Sequence, residues 1–476
     1  MECIWIVRVC NAVMTVASTC ATFVDFAVAD DWPMYGRDAT HNAVSLEKNP
    51  PTNWDMGKLD SKTGKWEARN IVWTAQLGSL AFGDPVVADG QIWIGTNNYN
   101  QLSGNYDRGK DSSVLAGFDE RHGNSLFNYD SPRLPSLPPG FSYAHIHDWP
   151  SSPIACSPLI EGDRMWFTTN RSETVCLDLG PLKRGEKQPR EVWKVDMMKQ
   201  FGVFPIRAAM MWNHSSSIST YQDRIFVITP QGDGWLRSFD ALTGELIWKF
   251  DINLKTAVWK VNGGTRNHFV ATPVYYQGRV YIANGQNEQH GEGPGRLVCI
   301  DPSKVGDISS ELAFDSSGTP LPDSRIQIAD PAKGHQVVSN PHSGLFWECM
   351  TSDVNGDGEI KFEEGIYRSY SNVVIKDGLL LMADFSGLVH CKDAKTGKRH
   401  WYYDVESAIF ASPLIVDNLV YIADDNGTVS IFRLAAEAQQ PISKVDMQSQ
   451  IMTSPDRKST RLNSSHERRS RMPSSA

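Results

Sequence analysis

The chain has 476 residues, a formal net charge of −9, 41% hydrophobic residues and 15 Trp. That is ample apolar material for a large core, and no basic cluster in the body of the chain points to nucleic acid. Length alone suggests two or three domains, but a repeat fold exceeds that expectation as a single unit.

Residues 1–29 have the pattern of a secretory signal: Arg8 near the start, an apolar run from about Val9 to Val28, and the small-residue triplet Ala27-Val28-Ala29. Asn11, Thr15, Ser18, Thr19, Thr22 and Asp25 interrupt the run, which favours export with cleavage over a membrane anchor. No transmembrane segment is expected after cleavage. The expected location is periplasmic or secreted. Residues 30–70 read as an N-terminal arm lying over the fold, and Ile71-Val72-Trp73 reads as an outer strand.

From residue 71 to 455 one unit recurs. Its clearest copies are Asn372–Trp401 and Ser412–Phe432, whose starts lie 40 residues apart. Each has a short apolar run, an Asp-Gly or Asp-Asn turn, a second apolar run and a further Gly turn. Such turns supply residues that tolerate positive φ between strands. Earlier copies begin at Asp84-Pro85, Ser157-Pro158, near Ser217, and at Thr272-Pro273; another starts at Ser454-Pro455. A period near 40 built this way is the signature of a β-propeller blade. The expected fold is all-β: a β-propeller of seven or eight four-stranded blades, the last one truncated. Asp-x-x-Thr-Gly turns at Gly244 and Gly397 are followed four residues later by Trp248 and Trp401, and Gly123 by Phe127. These aromatics are expected to pack between blades. Insertions fall at 97–113, 131–150, 286–295 and roughly 302–370.

Residues 456–476 resemble the in-frame translation of a short-read sequencing adapter and are read as an artefact, expected to be disordered. They carry six Lys/Arg against two Asp/Glu, so removing them takes the net charge from −9 to −13. The sequence beyond Pro455 is then expected to continue the seventh unit with an apolar strand and a Gly turn. Five cysteines remain after the signal. Cys176, Cys299 and Cys391 each stand two residues before an Asp at the same place in their units, which favours buried small residues over a disulfide framework.

The sharpest local motif is Asp353–Glu364. It fits the twelve-residue EF-hand loop, with Asp353, Asn355 and Asp357 at positions 1, 3 and 5, Gly358 at the sharp turn, Glu359 at position 7 and Glu364 as the bidentate ligand at 12. Calcium needs six to eight hard oxygens, which this spacing supplies from one loop. Without clear flanking helices it is expected to be a lone structural calcium site in an insertion. His145 and His147 are two apart beside Asp148, and His268, His290 and His342 lie in loops; a catalytic metal would need three of them to converge, which is not read from spacing. The polar loop Glu288–Gly293 could line the propeller mouth.

The Ser-Pro start, the Gly-x-Val-Tyr-Ile strand and the Asp-x-x-Thr-Gly-x-x-x-Trp end resemble the repeats of the pyrroloquinoline quinone (PQQ)-type β-propeller family. That family includes the outer-membrane assembly scaffold BamB and the quinoprotein alcohol dehydrogenases. Asp31–Gly36, Gln231–Trp235, Glu288–Gly293 and Ala383–Cys391 are similar to exported planctomycete-type propellers with no assigned reaction. The resemblance implies an exported, non-catalytic binding or scaffold module of the cell envelope. Its expected partner is an envelope protein or polysaccharide, and its expected state is a monomer. The alternative it implies is a PQQ-dependent dehydrogenase-like oxidoreductase. PQQ is not the expected cofactor, because the chain has no adjacent Cys pair and its calcium-like loop sits in an insertion. No catalytic residue is assigned.

Overall fold

The computed structural model describes residues 5–9, 31–59, 66–98, 112–132, 153–202, 219–221, 224–229, 235–251, 259–260, 267–268, 271–286, 295–304, 306–321, 329–454 and 461–464. Strands dominate them. The first unit is an antiparallel meander of Val86–Ala88, Gln91–Asn97, Ser112–Asp119 and Ser125–Pro132. The second is Leu159–Glu161, Arg164–Thr168, Glu173–Asp178 and Arg190–Asp196. The third to sixth units repeat this order, beginning at Ser219, Val274, Val374 and Leu414. Hairpin-linked four-stranded sheets repeated along a chain are the blades of a β-propeller.

The first strands of the units converge. Residues 32–45, whose 14 residues extend at most about 50 Å, bond to the first strand of five different units. The starts of the units are also bonded in sequence. The backbone N–H of Thr272 donates to Asn372 Oδ1 (2.8 Å), that of Asn372 to Ser412 Oγ (3.0 Å), and that of Ser412 to Ser454 Oγ (2.8 Å). Ser454 N–H then donates to Asp84 Oδ1 and Asp84 N–H to Ser157 Oγ, both at 2.8 Å. This belt joins the last unit start to the first. Asn372, Ser412, Ser454, Asp84 and Ser157 are therefore each an acceptor for a neighbouring unit's backbone.

The recurrent Trp is explained by the same geometry. In each Asp-x-x-Thr-Gly turn the Asp carboxylate accepts the Thr backbone N–H and its hydroxyl, as Asp393 does from Thr396 at 2.7 Å each. Gly397 adopts φ +74°, and an added Cβ would stand 2.6 Å from the Trp347 ring of the preceding unit. Trp347 also donates its indole N–H to Ala394 O (3.2 Å). Trp193 sits likewise over Gly244 with its N–H on Ala241 O (3.0 Å), and Trp73 over Gly123 with its N–H on Glu120 O (2.9 Å). Trp401 donates to Ala435 O (2.9 Å) in the sixth unit. The packing role expected for Trp401 holds; the side chain of Trp248 lies outside the described residues.

Across the sheet from these aromatics stand the cysteines, each at a β-bulge. Cys176 pairs with Trp193, Cys299 with Trp347 and Cys391 with Trp401. On the other side Cys176 faces Trp166 and Cys299 faces Tyr281, so a small side chain is needed between two large ones. All five described cysteines are free thiols.

Residues 32–45 of the arm run along the first strands of five units. One expectation is corrected. The outer strand of the fourth unit, Leu345–Met350, falls within the stretch assigned wholly to an insertion. It follows a hairpin of Glu311–Phe314 and Gln336–Ser339. Ile71–Gln76 is a strand as expected, and it forms a three-stranded sheet with Trp5–Val9 and Arg461–Ser464. Those two partners lie in the segments read as signal and adapter. Ile71–Gln76 needs partner strands, and in this structure those short segments occupy that place.

Candidate functional site

Two places gather polar groups: the inner edges of the blades and the Asp353–Glu364 loop. At the inner edges, the residue three positions after five of the unit starts turns its backbone N–H toward the arm. Val87 donates to Trp32 O, Ile160 to Pro33 O, Tyr275 to Thr40 O, Ile375 to Asn42 Oδ1 and Ile415 to Ala43 O, at 2.8 to 3.0 Å. The Asn42 amide also donates to Ile375 O (2.8 Å), so one side chain imitates a strand residue. Val44–Ser45 then pairs in parallel with Ile415–Val416. An unpaired strand edge presents donors that are costly to bury unbonded, and the arm bonds these five.

Between the second and fourth units the arm turns on itself. Arg37 donates to Val44 O (2.8 Å), His41 Nδ1 stands 3.0 Å from Tyr35 O, and the Asp38 carboxylate accepts the Thr40 N–H and hydroxyl. Tyr35 reaches the belt, with its hydroxyl 3.4 Å from Ser412 Oγ. Burial pushes the Asp84 carboxyl up from 3.8 to about 7, against the Ser454 N–H that favours its charged form. Burial also raises the Tyr35 phenol, and the Asp84 charge adds to it. Both therefore stay neutral in mildly acidic solution. Neither residue stands out in the sequence; the only signal was that Asp84 takes the place of a Ser or Thr at a unit start.

In the loop, Asp353 accepts Gly356 N–H (2.6 Å) and Gly358 N–H (2.8 Å), and Asn355 accepts Asp357 N–H (2.8 Å). Gly356 and Gly358 have φ of +77° and +89°, a conformation that suits glycine. Glu364 is buried and points inward. It accepts Val354 N–H, Asn355 N–H and Lys361 N–H, each at 3.1 Å. The Lys361 ammonium sits 2.7 Å from Asp357 Oδ2 and holds that carboxyl below its ordinary range. Glu359 gives its N–H to Asp357 Oδ1 (2.9 Å). Among the described residues no three His, Cys, Asp or Glu side chains stand close enough to share a metal. The donor set is all oxygen, which fits calcium over softer ions. To take it up, Asp357 must leave Lys361 and Glu364 must leave the loop amides.

Of the histidines, His342 is exposed and takes its backbone N–H to Asn340 Oδ1 (2.9 Å). His145, His147, His290, the Glu288–Gly293 loop and the side chain of His268 lie outside the described residues. A pair not foreseen is His390 and Asp384, both fully buried and 3.2 Å apart. Asp384 also accepts the N–H groups of Ser386 and Leu388, which makes it the anchor of its turn. The thiols are not activated: burial pushes Cys176 and Cys391 up to about 12 and raises Cys299 and Cys349.

The family model described as outer membrane protein assembly factor BamB matches residues 322–439. These residues are similar to PQQ-type propeller repeats. They include the outer strand of the fourth unit, the whole fifth unit and the first three strands of the sixth. A search of curated proteins finds no match. Among solved structures, BamB from Moraxella catarrhalis is 13% identical, with 84% of this chain and 87% of that one covered and a TM-score of 0.38. A europium-containing methanol dehydrogenase is 12% identical, covering 90% and 87%, with a TM-score of 0.48. Quinohemoprotein alcohol dehydrogenase from Comamonas testosteroni is 12% identical, covering 92% and 77%, with a TM-score of 0.49. At these values the likenesses decide nothing about activity, and the repeats themselves rest on strand order and the family match. No helix of the described residues is long and apolar enough to cross a membrane.

Proposed function

We propose that this chain is an exported, non-catalytic binding or scaffold propeller of the cell envelope with one structural calcium loop. The observation that carries the reading is the seated arm. The inner-strand donors, which a small ligand along the axis would use, bond to Trp32, Pro33, Thr40, Asn42 and Ala43 of the chain itself. That leaves loops and outer edges for recognition of an envelope protein or polysaccharide. The buried, raised thiols and the fully buried Asp384–His390 pair support the same view, since neither is open to a substrate.

The calcium loop has a structural role in this reading. Asp353, Asn355, Asp357 and Glu364 would hold the ion by side-chain oxygens and Glu359 by its carbonyl. The ion would replace Lys361 as the counter-charge. Quinone uptake tests the proposal: the protein is equilibrated with PQQ and calcium, then separated from free quinone. No co-eluting quinone absorbance is expected. Stoichiometric quinone retention would favour the dehydrogenase-like alternative.

A further inference from the structure

The arm has a property that neither the repeats nor the proposed function requires. Its bonds to the first, second, fourth, fifth and sixth units all fall on the same position of the unit. Its other anchors continue the circuit. Tyr421 donates to Pro51 O (2.7 Å), Trp54 Nε1 stands 3.1 Å from Met447 sulfur, and Gln448 donates to Gly57 O (3.0 Å). Trp73 then returns to the first unit, where Trp32 began. One segment thus bonds to the first strands of five units.

We infer that the five aligned inner-strand N–H groups form a binding track for a peptide of two extended pieces joined by one turn, and that residues 32–45 are its tethered occupant. The segment has the chemistry the track selects. Backbone carbonyls of Trp32, Pro33, Thr40 and Ala43 and the Asn42 amide oxygen serve as acceptors. Trp32 is buried at one end, and a turn braced by Arg37 and Asp38 lies between the bonds to the second and fourth units. Because the Arg37, His41 and Asp38 bonds hold the turn together, the segment seats and leaves as one piece.

Amide hydrogen exchange on the full chain tests this, with Val87, Ile160, Tyr275, Ile375 and Ile415 as reporters. In the Trp32→Ala, Asn42→Ala double variant all five are expected to exchange faster together, by about tenfold or more, as a cooperative opening requires. A synthetic peptide of residues 31–45 added in excess is expected to restore protection at all five. Loss confined to Val87 and Ile375, next to the substituted residues, would overturn the single-piece release. Failure of the peptide to restore protection would overturn the track. Should the double variant not fold, Asn42→Ala alone with the same five reporters and the same peptide decides between the same outcomes.

Discussion

At the residue scale, Asp84 shows how a repeat position acquires a special property. Ser157, Ser412 and Ser454 occupy the same place and accept a neighbour's N–H with a hydroxyl; Asp84 does so with a buried carboxyl. Its carboxyl is raised from 3.8 to about 7. The folded state therefore holds a proton that the unfolded chain releases. The stability linked to this group is full below about pH 4 and is lost as pH rises toward 7, a cost on the order of 4 kcal/mol when complete. Asp84→Asn keeps an oxygen for Ser454 N–H and removes the charge. Denaturant midpoints from pH 4 to 8 should show the variant gaining on the native chain as pH rises. Parallel curves for the two proteins would contradict the assignment. Trp401 was legible as a packing residue from its spacing alone. Its replacement by Ala should cost about 3–5 kcal/mol, as for other buried aromatics, seen as a lowered Tm; a cost below about 1 kcal/mol would show that the contact with Ala435 carries little.

At the scale of elements, the two-residue periodicity and the Asp-Gly turns made the strands of the fifth and sixth units readable almost residue by residue. The outer strand of the fourth unit was not readable, because 44 residues separate Ile300 from Leu345 and the usual Asp-x-x-Thr-Gly turn is absent. Only Trp347, paired with Cys299, marks it. The arm was equally opaque: four of its five bonds to the first strands use backbone carbonyls, which leave no pattern in side chains. The EF-hand-like spacing of Asp353–Glu364 is plain in the sequence, but the Lys361–Asp357 ion pair that would compete with a cation there depends on where the side chain lies. Isothermal titration should find that Lys361→Ala binds calcium more tightly than the native chain, while Glu364→Gln loses binding. Equal affinity in all three proteins would exclude this loop as the site.

At the scale of the molecule, two sets of bonds hold the ring: side-chain acceptors joining unit starts, and the arm joining inner edges. Both bring polar backbone groups together on the inside, where the chain satisfies them itself. That is the basis for reading the molecule as a recognition scaffold instead of a cofactor-dependent catalyst. The most direct measurement is alcohol-dependent dye reduction by the purified full chain, supplied with PQQ and calcium across a series of alcohols. The account predicts rates equal to those of quinone and dye without protein. Robust turnover that depends on protein, alcohol and quinone together would contradict it.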